Sequence, residues 1–304
     1  LLFEQANIKP GDKIALIGRN TPNWTITYVA VVTYGAVIVP ILQDFNANDV
    51  HHIVNHSDSV LLFCSDKIWD KLDEDKMEKL MAVISLNDFT CMYQNEENTM
   101  QSMLTNLNDE FAARYPNGYG PDDIQYTERD NSELTMISYT SGTTGFSKGV
   151  MLTANALAGN ITYGIKTKLL ERGNRVLNFL PLAHAYGMAF DFLTATCCGA
   201  HVYLLNKIPS PKVLIKAFGE IKPNVIFTVP LILEKLYRKQ IQPKITKKGM
   251  RFALHVPILD DTIYGKINKT LTQAFGNEFK EVIIGGAALN PEAEEFFKKI
   301  GFRF

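Results

Sequence analysis

Short apolar runs alternate with amphipathic stretches along most of the chain. Residues 13–17 follow the turn Lys9-Pro-Gly-Asp12 and predict a buried strand. Residues 24–34 predict a helix that closes near Gly35. Residues 36–39 predict a second strand stopped by Pro40, and 60–64 a third that ends at Ser65 and Asp66. Residues 66–132 are polar, charged and rich in Asn, Asp and Glu; they predict helices and surface connections. The pattern then sharpens. Residues 135–140 predict a buried strand and 141–149 a loop, with a helix starting near Thr153, whose hydroxyl suits an N-cap. Strands are expected at 176–180 and 201–205, on either side of 181–200. Residues 211–221 place Val213, Leu214, Ala217, Phe218 and Ile221 on one helical face. A strand at 225–229 is followed by a helix from Pro230. A strand at 281–284 runs into Gly285 and Gly286. Asn290 and Pro291 then open a helix as N-cap and first-turn proline. Its buried stripe is Ala293, Phe296, Phe297 and Ile300, with Lys298 and Lys299 in the last turn and Gly301 at its end. Strand–helix alternation of this kind predicts an α/β fold with mostly parallel sheets. No internal repeat or low-complexity segment interrupts it.

Composition narrows the class without changing the fold. The chain has 304 residues, which favours one large or two medium domains. Apolar residues make up 46% and charged residues 21%, as in ordinary globular proteins. The net charge of -1 leaves no basic excess to neutralise a phosphate backbone, so a nucleic-acid partner is not expected. The cysteines, Cys64, Cys91, Cys197 and Cys198, form no Cys-x-x-Cys pair and lie in no zinc spacing; buried, reduced thiols in a cytoplasmic protein are expected. The most apolar stretch, 29–42, is broken by Gly35 and Pro40 and is shorter than the roughly 20 residues of a membrane span. The start, Leu1-Leu2-Phe3-Glu4, carries no signal peptide and reads as mid-helix, while Gly301 to Phe304 reads as the start of a strand. A fragment of a longer protein is therefore expected. The sequence carries no signal for oligomeric state.

The chemistry concentrates in one run, Tyr139-Thr-Ser-Gly-Thr-Thr-Gly-Phe-Ser-Lys-Gly-Val150. Gly142, Gly145 and Gly149 free the backbone so that several N–H groups can face one anion. Ser141, Thr143 and Thr144 add hydroxyl donors beside Thr140, and Lys148 adds a full positive charge. A Walker loop requires Gly-Lys-Ser/Thr, whereas Ser147-Lys148-Gly149 stands here. A flexible linker is the bland reading, but a linker has no need of a lysine between an apolar strand and a capped helix.

This run resembles the phosphate-loop signature of the adenylate-forming superfamily: acyl-CoA synthetases, peptide-synthetase adenylation domains and luciferases. That signature ends in Pro-Lys-Gly, and Ser147 replaces the proline. The segment Leu180-Pro-Leu-Ala-His-Ala-Tyr-Gly-Met188 resembles the family's second signature, which implies that His184, Tyr186 and Gly187 line the acyl pocket near the reacting carboxylate. Taken alone, a histidine in an apolar segment is more often a core residue. The segment Ile284-Gly-Gly-Ala-Ala-Leu289 resembles the stretch whose backbone lies along adenine, which implies that role for Gly285, Gly286 and Ala287; a tight strand-to-helix turn is compatible with it. Residues 8–16, 35–40, 229–237 and 291–297 are similar to long-chain fatty-acid–CoA ligases in particular.

The resemblance implies a layered αβαβα N-terminal domain, truncated before the small C-terminal domain. It has two stacked, mostly parallel sheets with flanking helices. Approximate subdomains are 19–168, and 1–18 with 169–304. It implies ATP, Mg2+ and coenzyme A as cosubstrates and cofactor, a fatty acid as substrate, and Lys148 and His184 as the catalytic residues present. Tyr186 stands where amino-acid-activating domains place an aspartate, and Asp191 falls out of register, which disfavours an ammonium-bearing substrate. Alternatives are an acyl-carrier-protein ligase, another carboxylate-adenylating enzyme, or a nucleotide-binding module without activity. The signature Gly-Tyr-Gly-x-Thr-Glu, with its Mg2+-binding glutamate, is expected after Phe304, as are the ribose-binding aspartate and the C-terminal lysine. Little or no ligase activity is therefore expected of these residues alone. Peripheral membrane contact suits a ligase of poorly soluble acids, but no amphipathic basic segment shows it.

Overall fold

Four parallel strands, nearly continuous in their apolar character, form the centre of a seven-stranded sheet. They are β1 (Lys13–Ile17), β2 (Val37–Ile41), β3 (Ser59–Cys64) and β4 (Ala82–Ser85). Burial on both faces is what demands such unbroken apolar runs. The sheet is completed by β5 (Cys91–Gln94), β6 (Leu134–Thr140) and β7 (Lys148–Thr153), in the order β5-β4-β3-β1-β2-β6-β7. Only the edge strands β5 and β7 run antiparallel to their neighbours. The computed structural model describes residues 1–140, 147–247 and 259–304. These divide into two compact units, Leu1–Gly159 with Ala183–Ala185, and Asn160–Leu182 with Tyr186–Phe304. The sheet belongs to the first.

Several expectations are corrected here. Pro40 does not stop β2, which continues to Ile41. The Val37 N–H donates to Asp12, on the β1 side, so by alternation the N–H of residue 40 would face β6. On that side Ile38 and Met136 are the pair in register, so Pro40 lies past the paired position of the β2–β6 edge. Residues 66–132 contain β4 and β5 as well as the helix Met100–Arg114. Residues 1–18 do not group with 169–304: β1 lies between β2 and β3, in register with both. The Tyr34 hydroxyl donates to the Ile8 carbonyl at 2.8 Å and Gly11 N–H to the Gly35 carbonyl at 2.9 Å, tying this segment to the helix Pro22–Tyr34. Cys64 is buried as expected, but Cys197 is exposed, at the end of the short helix Ala195–Cys197.

The second unit holds two parallel pairs, β8 (Arg175–Asn178) with β9 (His201–Leu204), and β10 (Val225–Thr228) with β11 (Glu281–Ile284). Asn224 joins the pairs: its N–H donates to the Arg175 carbonyl at 2.9 Å, its Oδ1 accepts from Arg175 N–H at 2.8 Å, and its carbonyl accepts from Lys280 N–H at 2.7 Å. Arg175 Nε reaches the Ile221 and Lys222 carbonyls at 2.9 and 3.0 Å, satisfying the end of the helix Pro211–Ile221. The core of this unit is strongly aromatic. Phe218, Phe275, Phe279, Phe297 and Phe302 are buried together with Phe227 and Val282. The helix Pro291–Lys299 is capped as the sequence predicts, the Asn290 side chain accepting from Glu292 and Ala293 N–H.

Candidate active site

The phosphate-loop run is a hairpin connection in the first unit rather than a strand-to-helix loop. β6 and β7 pair antiparallel, with Thr140 opposite Lys148, Tyr139 opposite Gly149 and Ser138 opposite Val150. The β-branched and apolar residues Val150 to Thr153 favour a strand, so the helix begins only after Thr153, whose hydroxyl accepts from Ala156 N–H at 3.3 Å. Ser141, Gly142, Thr143, Thr144 and Gly145 lie outside the described residues. Both flanks of the loop are described. Thr140 and Lys148 form the cross-strand pair that closes it, and both are exposed. No ion pair engages Lys148 among the described residues.

The hairpin is rooted in the sheet by two residues the loop motif does not call for. Tyr139 is buried, and its hydroxyl lies 2.7 Å from His56 Nδ1, at the end of the helix Ala47–His56. Burial pushes the Tyr139 phenol up to about 12, so it stays neutral and hydrogen-bonded. Gly149 fits over this ring: a Cβ there would approach Ile137 Cγ2 to 2.9 Å and Tyr139 Cζ to 3.1 Å. The glycine before Val150 therefore has a packing reason of its own, beyond backbone freedom. Tyr139 borders the motif and is legible in it. His56 is 83 positions away, and no local signal marks it.

The second signature crosses the boundary between the units. His184 belongs to the first and is exposed, whereas Tyr186 belongs to the second. In the second unit Tyr186 meets the adenine-like segment directly. Its hydroxyl donates to the Ile283 carbonyl at 3.1 Å, and its ring occupies the space a side chain at Gly285 would need. A Cβ there would lie 2.5 Å from Tyr186 Cζ and 2.9 Å from its Oη. The flat ring that Gly285 admits is thus a tyrosine of the chain itself. Gly286 takes φ +85° and, with Ala287, is exposed, leaving their backbone open. Ala287 also lines a cleft of about 310 Å3 along β11. Gly187 is buried, and a Cβ there would lie 2.8 Å from the Pro181 carbonyl, so it serves local chain packing.

Gly187–Thr194 winds as a wider π-type helix, a form associated with functional sites. It packs Phe190 between Tyr186, tilted at 5.4 Å, and Phe227, stacked at 5.9 Å between ring centres. It also buries Asp191 completely. Asn178 Nδ2 donates to Asp191 Oδ2 at 3.0 Å, while Oδ1 has no partner among the described residues. Burial raises the Asp191 carboxyl well above the carboxylate range, against the weaker opposing effect of that hydrogen bond. Burial thus favours the protonated form of this carboxyl over the charged one.

A family model described as AMP-binding enzyme matches residues 1–303. The chain belongs to the AMP-binding enzyme family. It is 26% identical over 330 residues to "Long chain acyl-CoA synthetase 4" of Arabidopsis thaliana, spanning 98% of this chain and 47% of that protein. It is 24% identical over 314 residues to "Long-chain-fatty-acid--CoA ligase 5" of Rattus norvegicus, with 94% and 44% covered. The chain therefore spans about half the length of the curated relatives it matches. The solved structure of ATP-bound MatB from Rhodopseudomonas palustris shares the fold of this AMP-binding chain at a TM-score of 0.70 and 18% identity, over 99% of this chain and 50% of that one. The α/β architecture, with its large, mostly parallel sheet, is thus that of the N-terminal part of adenylate-forming enzymes.

Proposed function

We propose that the chain supplies the phosphate-binding and acyl-binding walls of an ATP-dependent fatty-acid–CoA ligase. In the first half-reaction a carboxylate oxygen attacks the α-phosphorus of ATP, an acyl–adenylate bond forms and pyrophosphate leaves. In the second the thiol of coenzyme A attacks the acyl carbonyl and AMP leaves with the bonding pair. An anion must approach an anion, so positioning and charge neutralisation supply most of the catalysis. The observation that carries this reading is the hairpin: Thr140 and Lys148 are opposed and exposed on either side of a Gly/Ser/Thr-rich run of sequence.

On this reading Lys148, with Thr140 and the hydroxyls and amides of Ser141 to Gly145 and Gly149, holds the β- and γ-phosphates and the departing pyrophosphate. The exposed backbone of Gly286 and Ala287, beside Gly285, lies along adenine. His184 and the wall formed by Tyr186 and Gly187 border the reacting carboxylate. Two features favour an uncharged acyl chain over an amino acid: the Tyr186 hydroxyl is engaged by the Ile283 carbonyl, and Asp191 is fully buried, with burial working against its charged form. Mg2+ is an ATP partner in this scheme, and its ligand is assigned to sequence beyond residue 304. The 304 residues alone are accordingly expected to turn over little or no acyl-CoA.

ATP–pyrophosphate exchange by the full-length protein over a panel of carboxylic acids tests this. Exchange that requires a long-chain fatty acid and ignores amino acids is the expected result. Exchange without any acid, or with amino acids only, would overturn it.

A further inference from the structure

We infer that the second unit carries a docking surface for an anionic phospholipid bilayer. It is formed by the loop 206–210, the helix Pro211–Ile221, and the helix Pro230–Leu236 with its continuation Tyr237–Ile241. The inference rests on this surface alone and is independent of the nucleotide site.

The first observation is charge. Between residues 207 and 239 there are seven Lys and Arg (Lys207, Lys212, Lys216, Lys222, Lys235, Arg238, Lys239) against Glu220 and Glu234, in a chain whose net charge is -1. Lys216 is paired with Glu220 at 3.7 Å and Lys222 with Glu278 at 3.1 Å. Glu234 accepts from the Asn290 N–H at 2.9 Å. Among the described residues no ion pair engages the other five cations.

The second observation is apolar exposure at the same place. Ile208 is 71% exposed, Leu231 56% and Ile215 40%. Ile215 lines a cavity of about 230 Å3 with Pro209, Pro211, Ile232, Lys235 and Lys239, and Ile208 and Leu231 are the chain neighbours of Pro209 and Ile232. Leu231, Lys235 and Lys239 follow one another at four-residue spacing, so the apolar and basic positions share a helical stripe. Pro209 and Pro211 restrict the loop that carries Ile208, which lowers the entropy lost when that loop is held at a surface.

These features fit a bilayer better than a peptide. The exposed apolar side chains project singly from three elements, whereas a docked helix needs one continuous groove. The charge is predominantly positive, seven cations against Glu220 and Glu234, as an anionic leaflet requires, and lysine stems can lie along apolar surface while their ammonium groups reach phosphates.

Sedimentation of the full-length protein with vesicles, without ATP or acid, tests the proposal. Binding should be strong to phosphatidylcholine vesicles containing phosphatidylglycerol, weak to phosphatidylcholine alone, and reduced by added salt. The pair Lys235→Ala and Lys239→Ala should weaken it by about fivefold per lysine, the fold-change equivalent to about 1 kcal/mol per basic residue near an anionic surface. The pair Ile208→Ser and Leu231→Ser should weaken what remains. Binding that ignores salt, equal affinity for neutral vesicles, or full binding by the lysine pair would overturn the proposal. Exchange with a short, water-soluble acid reports on the nucleotide site separately, and the lysine pair should leave it unchanged.

Discussion

Gly285 and Tyr186 show how far single residues could be read in advance. The glycine was visible in the motif, where the resemblance implies a backbone lying along adenine; the packing of Tyr186 against it is a separate contact. The partner was not visible, because Tyr186 lies 99 positions earlier and its contact depends on how the π-type turn packs against β11. In the full-length protein, Gly285→Ala should cost about 1–3 kcal/mol by urea denaturation, as overpacking of a filled site does. Made in a Tyr186→Ala background the same change should cost much less; equal costs in both backgrounds would mean that ring and glycine are not coupled. Asp191 carries a different signature. Its carboxyl is raised in the native state, so the folded protein binds more protons than the unfolded one, where the value is about 3.9. That stability is fully present below the unfolded value and is lost as pH rises toward the native one. Asp191→Asn should escape this loss. In thermal melts its stability relative to the parent should grow as pH rises from about 4, and a relative stability independent of pH would rule out a buried neutral acid.

At the scale of elements, strands and helices with a strong pattern were legible to within a residue or two. Lys13–Ile17, Pro211–Ile221 and Glu281–Ile284 lie where their periodicity puts them. The failures have identifiable causes. Pro40 looked like a stop because the direction of its missing N–H is a property of the sheet, not of the strand. β4 and β5 were hidden because four-residue strands among polar residues leave little period to detect. β7 was read as the end of a loop, yet it is this strand that holds Lys148 opposite Thr140. The hairpin is fastened by the Tyr139–His56 bond, which no local pattern announces. Tyr139→Phe should cost about 0.5–1.5 kcal/mol in chemical denaturation, the usual worth of one such bond. No loss of stability would mean that the bond does not anchor the hairpin.

For the whole molecule, the family and the α/β class were legible because the phosphate-loop run is long and specific. The grouping of residues 1–18 was not legible, since β1 has no polar face to show which sheet it enters. The basic and apolar positions between 207 and 239 were not read as one surface, because they are spread over a loop and two helices whose exposed side chains are known only after folding. Net charge near zero concealed a polarised distribution. The chain matches about half the length of its curated relatives, so the activity proposed above is tested on the full-length protein.

The central claim is that the β6–β7 hairpin binds the ATP phosphates through Lys148. Its most direct test is ATP–pyrophosphate exchange by full-length Lys148→Ala, at saturating fatty acid, alongside a thermal melt. Exchange should fall by about 10²–10³-fold, the usual effect of removing one charge-stabilising group. Melting should be unchanged within the equivalent of about 0.5 kcal/mol, because the side chain is exposed. Parent-like exchange in a folded variant would contradict the account.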